Sequence, residues 1–144
     1  MTAVLSYEQA AEVLHQDPIT FLSPAAQVKA VQKGISGPDA KKVVLKSHMH
    51  RVILEHALGL TSSNLSRVFR RKKLTQSQAE VVLDVVRLWL RAAEVFGTQE
   101  KANAWMQSKV PALEGATPAE LMRYAQGRRM VDEALDRIAT GDFA

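Results

Sequence analysis

The chain has 144 residues, 47% of them apolar, no cysteine and a net charge of +4. That size suits one compact domain or two very small ones, and the missing cysteines exclude disulfide staples and thiolate metal sites. No basic stretch precedes a long apolar run at the N-terminus and nowhere do about 18 uncharged apolar residues follow one another, so neither an export signal nor a membrane span is expected and the chain reads as cytoplasmic. The charge is segregated. Residues 1–40 hold two basic and four acidic side chains and residues 74–144 hold eight and ten, whereas residues 41–73 hold nine Lys or Arg against the single acid Glu55. A local excess of that kind attracts a polyanion.

Helix punctuation recurs from the first residues. Ser6 with Gln9 reads as a capping box ahead of YEQAAEVL, and Ser23-Pro24 supplies a cap and a first-turn proline for AAQVKAVQK, which Gly34 closes. Gly37-Pro38 opens PDAKKVVL. HRVILEHAL ends at Gly59, after which Thr61 or Ser62 caps SSNLSRVFRR. Thr75 and Gln78 form a second capping box before the longest helical signal, Gln76 to Phe96, where Ala79, Val82, Leu83, Val86, Leu90 and Ala93 recur at three- and four-residue steps. Val81, Val85, Leu88, Trp89 and Phe96 widen that stripe, which predicts a spine covered on more than one side and ended by Gly97. Three helices follow: TQEKANAWMQ, a short one from the capping box Thr117-Pro118-Ala119-Glu120, and RRMVDEALDRIA, whose Arg128-Asp132, Arg129-Glu133 and Glu133-Arg137 can pair across the wet face. Trp105, Met106, Leu121 and Met122 are assigned to core. No period-2 alternation lasts long enough to propose a sheet, so the expected fold class is all-α.

The stretch around Gly59-Leu60-Thr61 has a helix-turn-helix layout: a helix, a tight turn, and a second helix with Leu65 and Val68 on its apolar side. The other side shows Ser62, Ser63, Asn64, Ser66 and Arg67, short polar groups suited to base edges and an arginine able to reach a guanine's two acceptors. Arg70, Arg71, Lys72 and Lys73 would then lie close to phosphates. The plainer alternative is that RRKK is a solvated helix end, where cations are favoured anyway.

Nothing points to catalysis. His48 and His50 are two apart, which sends them to different helix faces, and His15 and His56 supply no third ligand at a useful interval, so no metal site is expected. There is no GxSxG, P-loop or GxGxxG, and Asp132, Glu133 and Asp136 lie on a face matched by arginines. The chain is expected to be no enzyme and to need no cofactor.

Leu58-Gly59-Leu60-Thr61 through Leu65, Val68 and Arg70-Arg71-Lys72 resembles helix-turn-helix proteins of the Xre class. From Leu88 onward the run AAEVFG at 92–97, then Ala102, Ala104-Trp105, Pro111-Ala112-Leu113, Gly115, Thr117-Pro118, Leu121-Met122, Gly127, Val131, Leu135, Arg137-Ile138 and Gly141 resembles the MbcA/ParS/Xre antitoxin toxin-binding domain. Where that family commonly has a Gly-Gly step before the Thr-Pro, this chain has Glu114-Gly115-Ala116, and Thr140 stands where an aromatic residue often precedes the final glycine. The resemblance covers residues 38 to 144 and implies three parts: an N-terminal helical extension over 1–37, an Xre-like DNA-binding region over 38–75, and a long helix plus a three-helix toxin-binding bundle over 76–144.

It further implies an antitoxin that neutralises a NAD-consuming toxin with a RES domain, blocking its active site with the C-terminal segment, and represses its own operon by binding operator DNA. The expected assembly is a homodimer within a hetero-oligomeric complex, with no membrane partner, and the apolar helix Gln76 to Phe96 offers a dimer face. Arg128, Arg137, Asp142, Phe143 and Ala144 are the residues assigned to toxin contact. A pocket built for an anionic dinucleotide offers basic groups and apolar walls that Asp142, Phe143 and the Ala144 carboxylate would satisfy together. By itself the ending reads rather as a C-cap, with Gly141 left-handed, Asp142 facing Arg137 and Phe143 folding back on the protein's own surface. The remaining functional readings are a stand-alone helix-turn-helix regulator without a toxin partner, and a helical adaptor whose basic run only keeps it soluble.

Overall fold

A computed structural model describes residues 4–141. Nine α-helices and one 3-10 turn form among these residues, and no strand: α1 (Tyr7–Val13), α2 (Pro24–Lys33), α3 (Gly37–Ser47), α4 (Arg51–Leu58), α5 (Ser62–Val68), α6 (Gln76–Phe96), α7 (Gln99–Met106), the turn Pro111–Leu113, α8 (Pro118–Leu121) and α9 (Ala125–Ala139). The fold is all-α, as the patterning predicts.

The start signals act as read. Ser6, Thr75 and Thr117 each accept from the backbone N–H three residues on while Gln9, Gln78 and Glu120 reach back to the cap N–H, satisfying donors that the first turn leaves open. Thr61, not Ser62, caps α5. Gly34, Gly59 and Gly97 end α2, α4 and α6, the last two in the left-handed region.

The long helix α6 is the axis of the molecule. It packs against α9 and α7 on one side and α4, α3 and α2 on the others. Leu88, Trp89, Val85 and Val86 are fully buried, and side chains of this size contribute about 1.5–3 kcal/mol each on leaving water. One continuous core runs from Ala10 and Leu14 of the N-terminal helices through Ile53, Leu54 and Leu65 to Val131 and Leu135. None of the apolar side chains of α6 is exposed. Most of the apolar stripe expected to offer a dimer face is thus covered by the chain itself, with Val81, Val95 and Phe96 partly open.

Met106 and Met122 are fully buried, whereas Trp105 and Leu121 are only partly so. Trp105 covers the end of α6 by stacking on Phe96 at 5.4 Å between ring centroids. None of the ion pairs expected along α9 forms: Arg128 and Asp132 pair across to α6 instead, and Arg129, Glu133 and Arg137 have no ion pair among the described residues. Gly127 is required by close approach: any Cβ there would overlap the Leu121 carbonyl, so α9 can press directly on the end of α8.

Candidate functional sites

α4, the turn at Gly59 to Thr61, and α5 form the helix-turn-helix. Leu65 and Val68 are buried, fixing which side of α5 meets the core, and Ser62, Ser63, Asn64 and Arg67 are exposed on the side left over. Ser66 is half-buried and occupied. Its hydroxyl accepts from the Arg51 guanidinium at 2.6 Å and donates to the Ser62 carbonyl at 3.2 Å. The same Arg51 nitrogen donates to the Ser62 carbonyl at 2.6 Å, and the guanidinium lies 5.3 Å from the centre of the Phe69 ring. Arg51 thus straps α5 to the head of α4.

α5 is shorter than the pattern predicts. It stops at Val68, and Arg70 to Lys73 lie in the connection to α6 rather than on the helix. The cause is Gly37. A Cβ there would overlap the Val68 carbonyl and stand 2.7 Å from that of Phe69, so only glycine lets the start of α3 lie against this backbone. Gly37 N–H donates to the Arg71 carbonyl at 2.8 Å and Leu74 N–H donates to the Ile35 carbonyl at 2.8 Å. Two backbone bonds from the Ile35 to Gly37 segment therefore hold the basic connection, while the Lys73 stem lies over Gly34. Arg70, Arg71, Lys72 and Lys73 are exposed on this fixed base, and none of the four has an ion-pair partner among the described residues.

Residues that sequence reasoning passed over fasten this half to the rest. The elbow between α3 and α4, residues 47–50, is held by three side chains from α6 and α7. The Trp89 indole donates to the Ser47 carbonyl at 3.2 Å, and the Asn103 amide donates to the His48 carbonyl and accepts from the His50 N–H, both at 2.9 Å. The Gln107 amide meets the His50 ring nitrogen at 2.8 Å. Asn103 is 4% exposed. Its signal was a polar residue between Ala102 and Met106 on a face that otherwise reads as core.

In the C-terminal part, α9 is joined to α6 by a ladder of ion pairs. Arg128 donates to Asp84 at 2.7 Å and to the Met122 carbonyl at 2.8 Å, Arg87 bridges Asp84 at 3.1 Å and Asp132 at 3.2 Å, and Arg91 pairs with Asp136 at 2.9 Å. Burial alone would lower the Arg87 pKa, but Asp132 and Asp84 more than reverse it, leaving the group above its ordinary value. This ladder replaces the anticipated Arg128-Asp132 pair. The reason is geometric: the α6 carboxylate lies across a half-dry interface, where attraction is stronger than between neighbours on a wet helix face.

Of the residues assigned to toxin contact, Arg128 has a side chain only 12% exposed and engaged inside the domain, whereas Arg137 is exposed on the last turn of α9. Gly141 has a positive φ of 76°, the left-handed ending anticipated at that glycine. Asp142, Phe143 and Ala144, and with them both the plug and the proposed Asp142 to Arg137 contact, lie outside the described residues. In the Glu114-Gly115-Ala116 stretch, set against the Gly-Gly step of the resembled family, Glu114 is itself left-handed at φ 59°. No group of three or more His, Asp or Glu that could hold a metal ion occurs among the described residues, and no described helix is long and apolar enough to cross a membrane.

Comparison with known proteins agrees with this geometry. Residues 84–141 match the model of the antitoxin Xre/MbcA/ParS C-terminal toxin-binding domain, a span that begins at the first carboxylate of the α6–α9 ladder. A curated protein of Sphingobium sp. named Prs ADP-ribosylating antitoxin is 24% identical over 132 residues, 85% of this chain and 83% of that protein. The antitoxin Xre of Pseudomonas putida is 30% identical over 76 residues, 53% of this chain and 48% of that protein, so the chain matches about half the length of this relative. Over Asp84 to Gly141 this helical chain is similar to the C-terminal toxin-binding domain of Xre-type antitoxins, and along more of its length to the two antitoxins named above.

Proposed function

We propose that this chain neutralises a RES-domain toxin by occluding its active site and represses its own operon by gripping operator DNA, the two tasks divided between its ends. The toxin-binding domain supports the first task. The name of the Sphingobium relative couples an antitoxin to ADP-ribosylation, and we carry that chemistry to the toxin partner of this chain, as a NAD-consuming or ADP-ribosyl-transferring enzyme. The C-terminal segment supplies the plug: Asp142 for cationic groups of a dinucleotide pocket and Phe143, with Ala144 beside it, for its apolar wall. Arg137, exposed on the same last turn, borders that contact, and Arg128 serves it by fixing the corner from which α9 departs. Occlusion needs no bond-making, so the chain acts without catalysis or cofactor, and it works in the cytoplasm where the operon and the toxin's NAD are found.

The observation that carries the second task is the exposed set Arg67, Arg70, Arg71, Lys72 and Lys73, without ion pairs among the described residues, beside the polar face Ser62, Ser63 and Asn64. A helix presented in this way enters a major groove, with the following cations on phosphates. Ser66 contributes by holding Arg51, not by touching a base. Two copies would read a palindromic operator as a homodimer within the larger complex.

Co-expression with a RES-domain toxin tests the first task. The full chain restores growth and NAD, and deletion of Asp142 to Ala144 abolishes rescue while folding and duplex binding persist. Unchanged rescue by the truncated chain rejects the plug. A chain that binds duplex DNA but captures no RES protein is a stand-alone regulator.

A further inference from the structure

The cationic segment holds more than the α5 connection. α3 carries Lys41, Lys42 and Lys46, all exposed and none ion-paired among the described residues. Lys41, Leu45 and His48 follow one another at helical spacing and line an open cleft of about 830 Å³, completed by His50 and Arg51 at the head of α4, by Phe69, and by the turn leading into α7. Its charged and titratable groups are Lys41, Arg51, His48 and His50 against the single acid Glu100. Arg51 is already oriented, with Glu55 3.3 Å from its Nε and its outer nitrogen on Ser62 and Ser66. The buried faces of Val44, Met49 and Phe69 give the cleft an apolar floor, which strengthens the field of the cations around it.

The position of the cleft identifies its occupant. Phe69 immediately precedes Arg70, and Arg51 ties the cleft wall to α5, so the cleft borders the DNA-facing helix on the side of its C-terminal end. When the second helix of such a motif enters a groove, the first crosses the sugar-phosphate backbone. We propose that this cleft seats a phosphate of the DNA strand flanking the groove entered by α5, with Lys41 as the direct contact. The inference rests on the DNA-binding reading above and extends the contact surface to α3, which the helix-turn-helix alone does not include. A lysine ammonium serves a backbone phosphate as a point charge without needing the bidentate geometry of an arginine.

The experiment measures binding of the full chain to a mixed-sequence DNA duplex across a salt series, for wild type, Lys41→Gln, Lys41→Arg and Arg70→Gln. Lys41→Gln is expected to flatten the log-log salt dependence by about 0.9, equivalent to roughly an eightfold loss near 0.1 M salt. Lys41→Arg is expected to keep the wild-type slope, and unfolding midpoints are expected to agree, since the side chain is exposed. If Arg70→Gln flattens the slope and Lys41→Gln does not, the cleft is not a phosphate site although the DNA reading stands. If wild type itself shows no salt-dependent binding, both fall. If Lys41→Gln weakens capture of the toxin and leaves duplex binding intact, the occupant is an acidic protein segment and the proposal is overturned.

Discussion

The chain uses its cations in two ways. Between Lys41 and Lys73, eight of nine Lys and Arg have no ion-pair partner among the described residues, the exception being Arg51 with Glu55. In the α6–α9 seam, Arg87, Arg91 and Arg128 are all paired, and the Arg128 side chain is 12% exposed. An ion pair across a half-dry seam contributes to the fold because its partner is prepositioned and water is thinned. An unpaired surface cation contributes almost nothing to the fold and keeps its full charge for a partner. Equal counts of arginine would conceal this difference. One region leaves its cations unpaired among the described residues, as the proposed DNA contact requires, and the other uses them within the fold.

The comparison can be broken first where the expected effect is largest. Replacing Arg70, Arg71, Lys72 and Lys73 together with glutamine should lower duplex affinity by about three to four orders of magnitude near 0.1 M salt if each meets one phosphate. The unfolding midpoint should move little, because the connection is held by the backbone bonds at Ile35 and Gly37. A collapse of stability would show that these cations belong to the fold after all. The reciprocal change, Arg128→Met, should cost about 2–3 kcal/mol in a denaturant titration, toward the lower end for breaking a buried pair because Asp84 keeps Arg87. Its duplex affinity should remain that of wild type, and a cost below about 0.5 kcal/mol would make the ladder no better than a surface pair.

Asn103→Ala sharpens the boundary between the regions. It leaves the His48 carbonyl and His50 N–H without their partner, which should cost about 1–3 kcal/mol. Because the elbow orients α4, duplex affinity should fall by more than in the equally destabilised Arg128→Met, as read by titration well below both unfolding midpoints. Equal affinities would mean that the elbow only holds the core. The smallest effect is a gain: Glu114→Gly removes a left-handed strain of about 1–2 kcal/mol and returns part of it as unfolded-state entropy, for a net rise of about 0.5–1 kcal/mol in thermal unfolding.

Much of the fold was legible in the chain because its signals are local. Capping boxes at Ser6, Thr75 and Thr117 and stops at Gly34, Gly59 and Gly97 fall where hydroxyl, amide and glycine chemistry place them. The apolar stripe of α6 announced a covered spine, and the charge segregation marked residues 41–73 without any coordinate. The length of α5 was not legible, since the chain leaves the helix where Gly37, more than thirty residues upstream, lies against the carbonyls of Val68 and Phe69.

Partner choice was likewise decided in three dimensions. Arg128 sits four residues from Asp132 and meets Asp84 instead, and Asn103 caps an elbow more than fifty residues before it. Spacing along a chain determines which residues share a helix face, because one helix has one geometry. Which face meets which other, and so which charge is neutralised within the chain and which is left for a partner, depends on how separate helices pack. The sequence alone therefore determined the helices, most of their ends and the cationic segment, while the packing decided where α5 stops and which polar groups hold the protein together.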